Sequence, residues 1–399
     1  MKNIKMVDLK GLMNRIKPQI DNAIDRVLQS ERFIGGEEVE EFAKELGDTM
    51  CGPHEKSKVF VIPCANGTDA IQIALMALGI GPGDEVITTN FTFISTVEVI
   101  SILGATPVLV DVCETTFNID CDAVEQVITD KTKAIIPVHL FGQCADLGRL
   151  MELSTRFDIP IVEDNAQSLL STYCDGKGVS GASGLFGVFG TTSFFPSKNL
   201  GCLGDGGALF TRDQVLALKA KSISNHGGSK RYEHEVLGIN SRLDSIQAAI
   251  LRVKLPHLKS FIAKRQEAAS KYDELLNDVE GVEIPVRSEK STHVFHQYTL
   301  KISGGVRDEL AQGLADDGIP TGIYYPKGIH EQKAFSSLGY KKGDFPISEK
   351  LSETVLSLPM HTELSDAQQN YIVERLVSRL SELRELSALR ETHKMTGQK

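Results

Sequence analysis

The sequence predicts an α/β protein with a mostly parallel central sheet, closed at its C-terminal end by a smaller α+β domain. Three observations carry that expectation. Between Val59 and Thr211, short apolar runs alternate with longer amphipathic stretches, the rhythm of a sheet covered by helices on both faces. The apolar runs are nearly continuous rather than alternating, as strands buried on both sides require. After about Leu255 the pattern changes to long charged helical stretches separated by brief apolar runs. A boundary there divides a large domain with a helical N-terminal segment, residues 1–255, from a small C-terminal domain, residues 256–399.

The N-terminal segment to about Gly47 is amphipathic and broken at FIGGEE (Phe33–Glu38), which predicts helix, glycine turn, helix. Strands are predicted over Val59–Pro63, Glu85–Thr89, Pro107–Val112, Ala134–Val138, Ile159–Val162 and Ala208–Thr211, and another apolar run ends at Ser193-Phe194. Helical spacing occupies Asp69–Leu78, Ser95–Leu103, Asp122–Ile128 and Leu147–Phe157. In the second domain, Pro256–Leu276 reads as helix, Gln297–Ile302 as an alternating run and Arg307–Asp317 as helix, followed by a short run, Thr321–Tyr325. Ile372, Leu376, Leu380 and Leu383 recur at helical spacing. The polar tail beyond about Leu389 is expected to fray.

The chain of 399 residues carries 43 basic and 53 acidic residues, a net charge of −10, with no basic run to suggest a nucleic-acid partner. No signal-peptide core is evident and no stretch approaches the ~20 apolar residues of a membrane span. A cytoplasmic protein is expected. Seven cysteines are scattered without a CxxC pair. Reduced thiols are therefore expected, with no metal site and no disulfide framework. Cys202, four residues from Lys198, is read as a small filler.

Ligands of open parallel sheets bind outside the carboxyl ends of the strands, and chemically suggestive residues fall there. Asn66-Gly67-Thr68 follows the first run and opens a helix. Gly67 permits close backbone approach, and the Thr68 and Asp69 amides would face an anion, although an N-cap also selects Asn or Thr. Phe91 and Phe93 follow the next run, where an aromatic is either core or the cover of a planar ring. His139 is read as a satisfied core histidine. Asp164 is either an ordinary strand-end cap or the partner of a protonated pyridine nitrogen. Ser193 can donate to a phosphate. Lys198 lies in SFFPSKNLGCLGDGG (Ser193–Gly207) among turn formers and apolar neighbours. It is either a surface lysine in a flexible loop or a partly buried amine with a lowered pKa, as Schiff-base chemistry requires. A phosphate cup, an aromatic plate, a carboxylate and such a lysine together suit pyridoxal 5'-phosphate (PLP).

With these residues assembled, the chain resembles the DegT–StrS sugar aminotransferases, a family of fold-type I PLP enzymes. The likeness runs from FIGGEEVEEF to SLPMH (Ser357–His361) and rests on ANGTDAIQIAL, GDEVITTNFTFIST, ATPVLVDV, VEDNAQ, SFFPSKNLGCLGDGG, GINSRLDSIQAAIL and GIPTGIYYP, in that order. The resemblance implies a three-layer fold-type I architecture. It implies that Lys198 carries the cofactor, Asp164 partners its pyridinium, Gln167 lies near its phenolic oxygen and Phe93 stacks on its ring. Gly67, Thr68 and Ser193 match the phosphate contacts. Asn240, in GINSRLD, looks like the asparagine that reaches the phosphate of the neighbouring subunit, implying a homodimer with shared sites. Arg242, Tyr324 and Tyr325 occupy positions that meet substrate in relatives. Arg242 equally suits a structural ion pair and Tyr325 interface packing, and many relatives have His-Tyr where this chain has Tyr324-Tyr325.

The implied activity moves an amino group from L-glutamate, through PLP and its pyridoxamine form, to a UDP- or dTDP-linked keto sugar. The product would be an amino sugar for surface polysaccharide or a glycosylated metabolite. KNLGCLGDGG is closer to the 3-keto-sugar branch than to the GEGG form frequent in the 4-keto branch, which favours C3. Three alternatives compete. A sugar dehydratase of the same fold typically has histidine in place of the lysine. A non-catalytic regulatory protein of this fold would not need the intact set of Asp164, Ser193 and Lys198. A Rossmann oxidoreductase needs GxGxxG where ANGTDA stands.

Overall fold

The computed structural model describes residues 4–51, 58–230 and 232–396. Helix α1 (Leu9–Ser30) is capped by Asp8, whose side chain accepts from the Gly11 amide, and α2 (Glu37–Cys51) follows the predicted break. The buried stripe of α1, Ile16, Ile20, Ala23 and Val27, packs on Ala249 and Ile250 of α8 (Ser245–Lys254), as helical periodicity dictates.

The first core is built on strands β1 (Phe60–Cys64), β2 (Glu85–Thr89), β3 (Thr106–Val110), β4 (Thr132–Ile136), β5 (Val162–Asp164), β6 (Phe189–Ser193) and β7 (Gly207–Thr211). They form a four-stranded sheet, β1-β7-β6-β5, and a three-stranded sheet, β3-β2-β4. Parallel bridges Ile135–Ile161 and Val138–Asp164 join β4 to β5, making one continuous sheet in the order β3-β2-β4-β5-β6-β7-β1. Strand β7 runs antiparallel to both neighbours, and the pairs β2–β3, β2–β4 and β5–β6 are parallel.

Adjacent residues of the strands supply opposite cores. Val86 and Ile136 join Ile71 of α3 (Gly67–Leu78), Val99 of α4 (Ser95–Ile102) and Ala217 of α7 (Gln214–Ile223). Ile87 and Ile135 join Val124 of α5 (Cys121–Val127) and Leu150 of α6 (Leu147–Phe157). Phe42 of α2 and Leu251 of α8 cover the same face further along, with Phe194 and Phe210. Both faces are thus covered, which is why the strands read as continuous apolar runs. Helix, sheet and helix form the three layers expected.

The second core surrounds an antiparallel sheet of β8 (Val282–Glu283), β9 (Tyr298–Ile302) and β10 (Val355–Leu358). Helices α9 (Leu258–Leu276), α10 (Arg307–Asp316) and α11 (Asp366–Thr396) pack on it through Tyr272, Leu276, Leu310, Leu314, Ile372 and Leu376. Helix α9 bridges the two cores, with Leu258 and Ile262 in the large one and Ala269 and Tyr272 in the small one. Ile4 also packs in the small core, a long-range return that local pattern does not announce. The run Thr321–Tyr325 meets β10 through a single bridge, Gly322–Ser357. Helix α11 continues to Thr396, past the point near Leu389 where fraying is expected. No helix among the described residues is long and apolar enough to cross a membrane.

Candidate active site

The antiparallel strand β7 brings two strand ends together. Gly207, its first residue, pairs with Cys64 at the end of β1 and with Ser193 at the end of β6. Glycine is required at two positions here. A Cβ on Gly207 would lie 2.3 Å from the Asn66 carbonyl oxygen, and one on Gly67 would lie 2.7 Å from Ser193 Cβ. The start of α3 therefore sits directly against the end of β6.

Asn66 caps α3, its side chain accepting from the Asp69 amide at 2.8 Å. This corrects one expectation: the Asp69 amide is engaged in the cap and is not offered to an anion. The Gly67 and Thr68 amides, first in the helix, have no intrahelical acceptor. Thr68 Oγ1 lies 2.7 Å from Ser95 Oγ, and Ser193 Oγ accepts from the Phe195 amide at 3.2 Å, which leaves its proton free to donate. Two amides and nearby hydroxyls at a helix N-terminus form a cup suited to a phosphate.

At the end of β5, Asp164 is 6% exposed. Its Oδ2 accepts from Thr96 Oγ1 at 2.7 Å and its Oδ1 from the Ala166 amide at 3.1 Å. Its backbone is pinned by the Pro137 carbonyl and the His139 amide. Thr96, on α4, is a contact that sequence reasoning missed, because a helical threonine carries no local signal. His139 is the core histidine expected. Its Nδ1 accepts from the Ala145 amide at 3.1 Å, so its Nε2 carries the proton and donates to Glu163 Oε2 at 2.8 Å.

The loop Ser193–Gly207 is closed on itself, which corrects the reading of Lys198 as a lysine in a flexible loop. The Phe194 amide donates to Gly206, the Cys202 amide to Phe194 and the Lys198 amide to Phe195. Cys202 is buried, with Sγ 3.0 Å from the carbonyls of Phe194 and Gly204. Burial pushes its thiol pKa up, as befits a filler. Burial lowers the Lys198 ammonium to about 8, against the opposing pull of the nearby Asp164 carboxylate.

Phe93, 56% exposed, stands after β2 with its ring centroid 6.4 Å from that of Tyr325. Gln167 Oε1 accepts from the Phe141 amide at 2.7 Å, and its Nε2 donates to the Tyr325 hydroxyl at 3.3 Å. That hydrogen bond links Gln167 to Tyr325, and one Nε2 proton of Gln167 remains for a ligand. Tyr324 packs edge-on to Tyr325. Asn240 and Arg242 are exposed. They flank Ser241, whose hydroxyl accepts from the Ala65 amide beside the cup at 3.1 Å.

PLP fits this set on the structure's own terms. The two glycine contacts shape a cup, a desolvated amine lies within electrostatic reach of a buried carboxylate, and an exposed aromatic ring stands after β2.

Comparison with known proteins agrees. Residues 14–377 match the model of the DegT/DnrJ/EryC1/StrS aminotransferase family. The chain is 46% identical over 376 residues to the "Pleiotropic regulatory protein" of Geobacillus stearothermophilus, covering 94% of this chain and 98% of the relative. It is 42% identical over 375 residues to the UDP-2-acetamido-2-deoxy-3-oxo-D-glucuronate aminotransferase of Pseudomonas aeruginosa, covering 94% of this chain and 100% of the relative. The crystal structure of NtdA from Bacillus subtilis with bound cofactor PMP superposes with a TM-score of 0.87 at 30% identity, covering 96% of this chain and 86% of that one.

Proposed function

This chain belongs to the DegT/DnrJ/EryC1/StrS aminotransferase family and is a PLP-dependent sugar aminotransferase of fold-type I, and from that premise we propose that it moves an amino group from L-glutamate to the C3 keto group of a UDP- or dTDP-linked sugar, in the cytoplasm, for surface-polysaccharide biosynthesis. The observation that carries the reading is Lys198, a partly desolvated amine in an ordered loop beside the buried Asp164. The Pseudomonas relative's 3-oxo substrate supports C3, as does the form of KNLGCLGDGG. The regulatory name of the Geobacillus relative is compatible with the same fold, but an amine tuned by burial supports chemistry over a purely regulatory role.

When bound, PLP supplies an electron sink for charge developing at the carbon that loses or gains a proton. Gly67, Thr68 and Ser193 would hold its phosphate, Phe93 would cover its ring and Gln167 would meet its phenolic oxygen. The Asp164 carboxylate, fixed by Thr96 and Ala166, would hold a proton at the ring nitrogen. With a pKa of about 8, roughly a tenth of Lys198 is free base at pH 7. In the first half-reaction Lys198 Nζ takes the proton from the α-carbon of the donor. In the second it delivers one to the sugar carbon, acting as base and then acid.

A homodimer completes this reading. Asn240 would reach the partner's phosphate cup, and Arg242 would offset the diphosphate charge of the nucleotide sugar. The exposed apolar side chains of Phe93, Phe195 and Leu203 support a covering subunit. Residues 1–255 would carry the cofactor and residues 256–399 would lie over the substrate side.

The test is a panel of UDP- and dTDP-linked 3-keto and 4-keto sugars, offered to protein first loaded with amino groups by L-glutamate. Amino-sugar formation from 3-keto substrates supports the assignment. Turnover restricted to 4-keto substrates would overturn C3.

A further inference from the structure

A cavity of about 20 Å³ lies behind Lys198, beneath the start of α1. Among its lining side chains, the polar groups Asn199, Arg265 and His361 are each more than nine-tenths buried. Each keeps one polar atom without a hydrogen-bond partner: Asn199 Oδ1, Arg265 Nε and His361 Nε2. The remaining polar atoms of two of these side chains are engaged. Asn199 Nδ2 donates to the Val294 carbonyl at 3.2 Å. His361 Nδ1 accepts from the Glu363 amide at 3.2 Å, so the proton of the neutral ring sits on Nε2 and makes that atom a donor. The Lys5 carbonyl is near this ring without meeting hydrogen-bond geometry. Arg265 Nη1 is shared among the carbonyls of Phe295, His296 and Met360 at 3.0–3.3 Å. Lys254 Nζ, also on the cavity, donates to the Gly201 carbonyl at 2.5 Å.

Buried polar atoms left unpaired are costly, and nature rarely leaves them so. The three orphaned atoms, two donors and one acceptor, have the valence of water. A water there would accept from Arg265 Nε–H and His361 Nε2–H and donate to Asn199 Oδ1, the three contacts typical of a buried water. An anion would face the Asn199 carbonyl oxygen, and a cation would face the guanidinium.

We propose that this cavity binds a single water, which ties Asn199, and with it the loop bearing Lys198, to Arg265 on α9 and His361 after β10. Asn199, Arg265 and His361 then act as positioning residues for the loop that carries Lys198. The positioning role rests on the proposed function of Lys198, whereas the water itself does not.

The experiment has two arms on the cofactor-loaded protein. A high-resolution crystal structure, with a parallel bromide soak, should show a water peak within hydrogen-bond distance of all three atoms. An empty cavity or an anomalous bromide peak overturns the proposal. In the second arm, His361→Phe should slow the glutamate-driven loss of the lysine-bound cofactor's absorbance about tenfold, at unchanged glutamate KM and cofactor content, and should shift the pH midpoint of that rate. His361→Gln, which keeps a donor, should restore most of the rate. Wild-type rate and pH midpoint in His361→Phe overturn the positioning role, and Asn199→Ala reads the same quantity should that variant fail to fold. A wild-type protein with no cofactor absorbance would sink the proposed function, while the crystallographic arm still decides the water.

Discussion

The two faces of β5 carry adjacent carboxylates that are furnished for opposite ends. Glu163, fully buried, receives the amides of Gly184, Phe186 and Gly187 and the His139 imidazole, all at 2.7–2.8 Å. A carboxylate has about four acceptor sites, and all of them are filled by donors fixed in the scaffold. Asp164, one residue on, receives among the described residues the Thr96 hydroxyl and the Ala166 amide, and it lies within electrostatic reach of Lys198. Saturation turns a buried charge into structure. Spare capacity beside a desolvated amine leaves it available for chemistry.

That contrast can be broken most severely at Lys198. Lys198→Ala should reduce turnover to the uncatalysed background and remove the lysine-bound absorbance, with the chain still folded by circular dichroism. Retained transamination would mean that the Asp164 face is not the reactive one. Asp164→Asn, nearly isosteric, should lower kcat by ~10³-fold while leaving thermal stability close to wild type. Glu163→Gln should do the reverse. It sets an amide donor against backbone amides and costs about 3 kcal/mol of stability by denaturant titration, with kcat per folded molecule little changed. If Glu163→Gln folds well but is inactive and Asp164→Asn unfolds, the comparison is inverted and fails.

Smaller effects sharpen it. Thr96→Val removes one of the two donors that fix Asp164, and a loss of about tenfold in kcat is expected. No change would mean that the Ala166 amide alone holds the carboxylate. The last effect is a pH dependence. Only the free amine attacks a carbonyl, so trapping of Lys198 by an aldehyde in cofactor-free protein should rise with pH through a midpoint of about 8. The folded value lies below the ordinary lysine value of 10.5, so between the two the unfolded chain binds more protons and folding stability gains with rising pH. Lys198→Ala should lack that gain, measured as the difference between the two unfolding curves.

Much of this is legible in the sequence. Continuous apolar runs between helical stretches announce a doubly covered sheet, because burial on both faces leaves no polar positions. Asp164 and Ser193 stand at strand ends and Lys198 in a glycine-rich bend, where a ligand meets an open sheet. What stayed hidden depends on partners distant in sequence or on local competition. Glu163 reads as an odd charge in an apolar run until Gly184, Phe186 and Gly187 fold back onto it. Thr96 gains meaning only when α4 is set against β5. The Asp69 amide was misjudged because the Asn66 cap, three residues before it, has first claim. Ile4 in the small-domain core and the cavity behind Lys198 arise where the chain's beginning meets residues more than 250 positions later, a closeness that no periodicity encodes.

The most direct test of the central claim is an absorbance spectrum of the purified protein, recorded before and after adding L-glutamate. The account predicts a visible band from cofactor held by Lys198, absent from Lys198→Ala, which gives way to the shorter-wavelength pyridoxamine band when glutamate is added. A band that glutamate leaves unchanged would contradict the proposed amino donor. A protein that takes up no PLP even when it is supplied would contradict the assignment of Lys198 and Asp164 themselves.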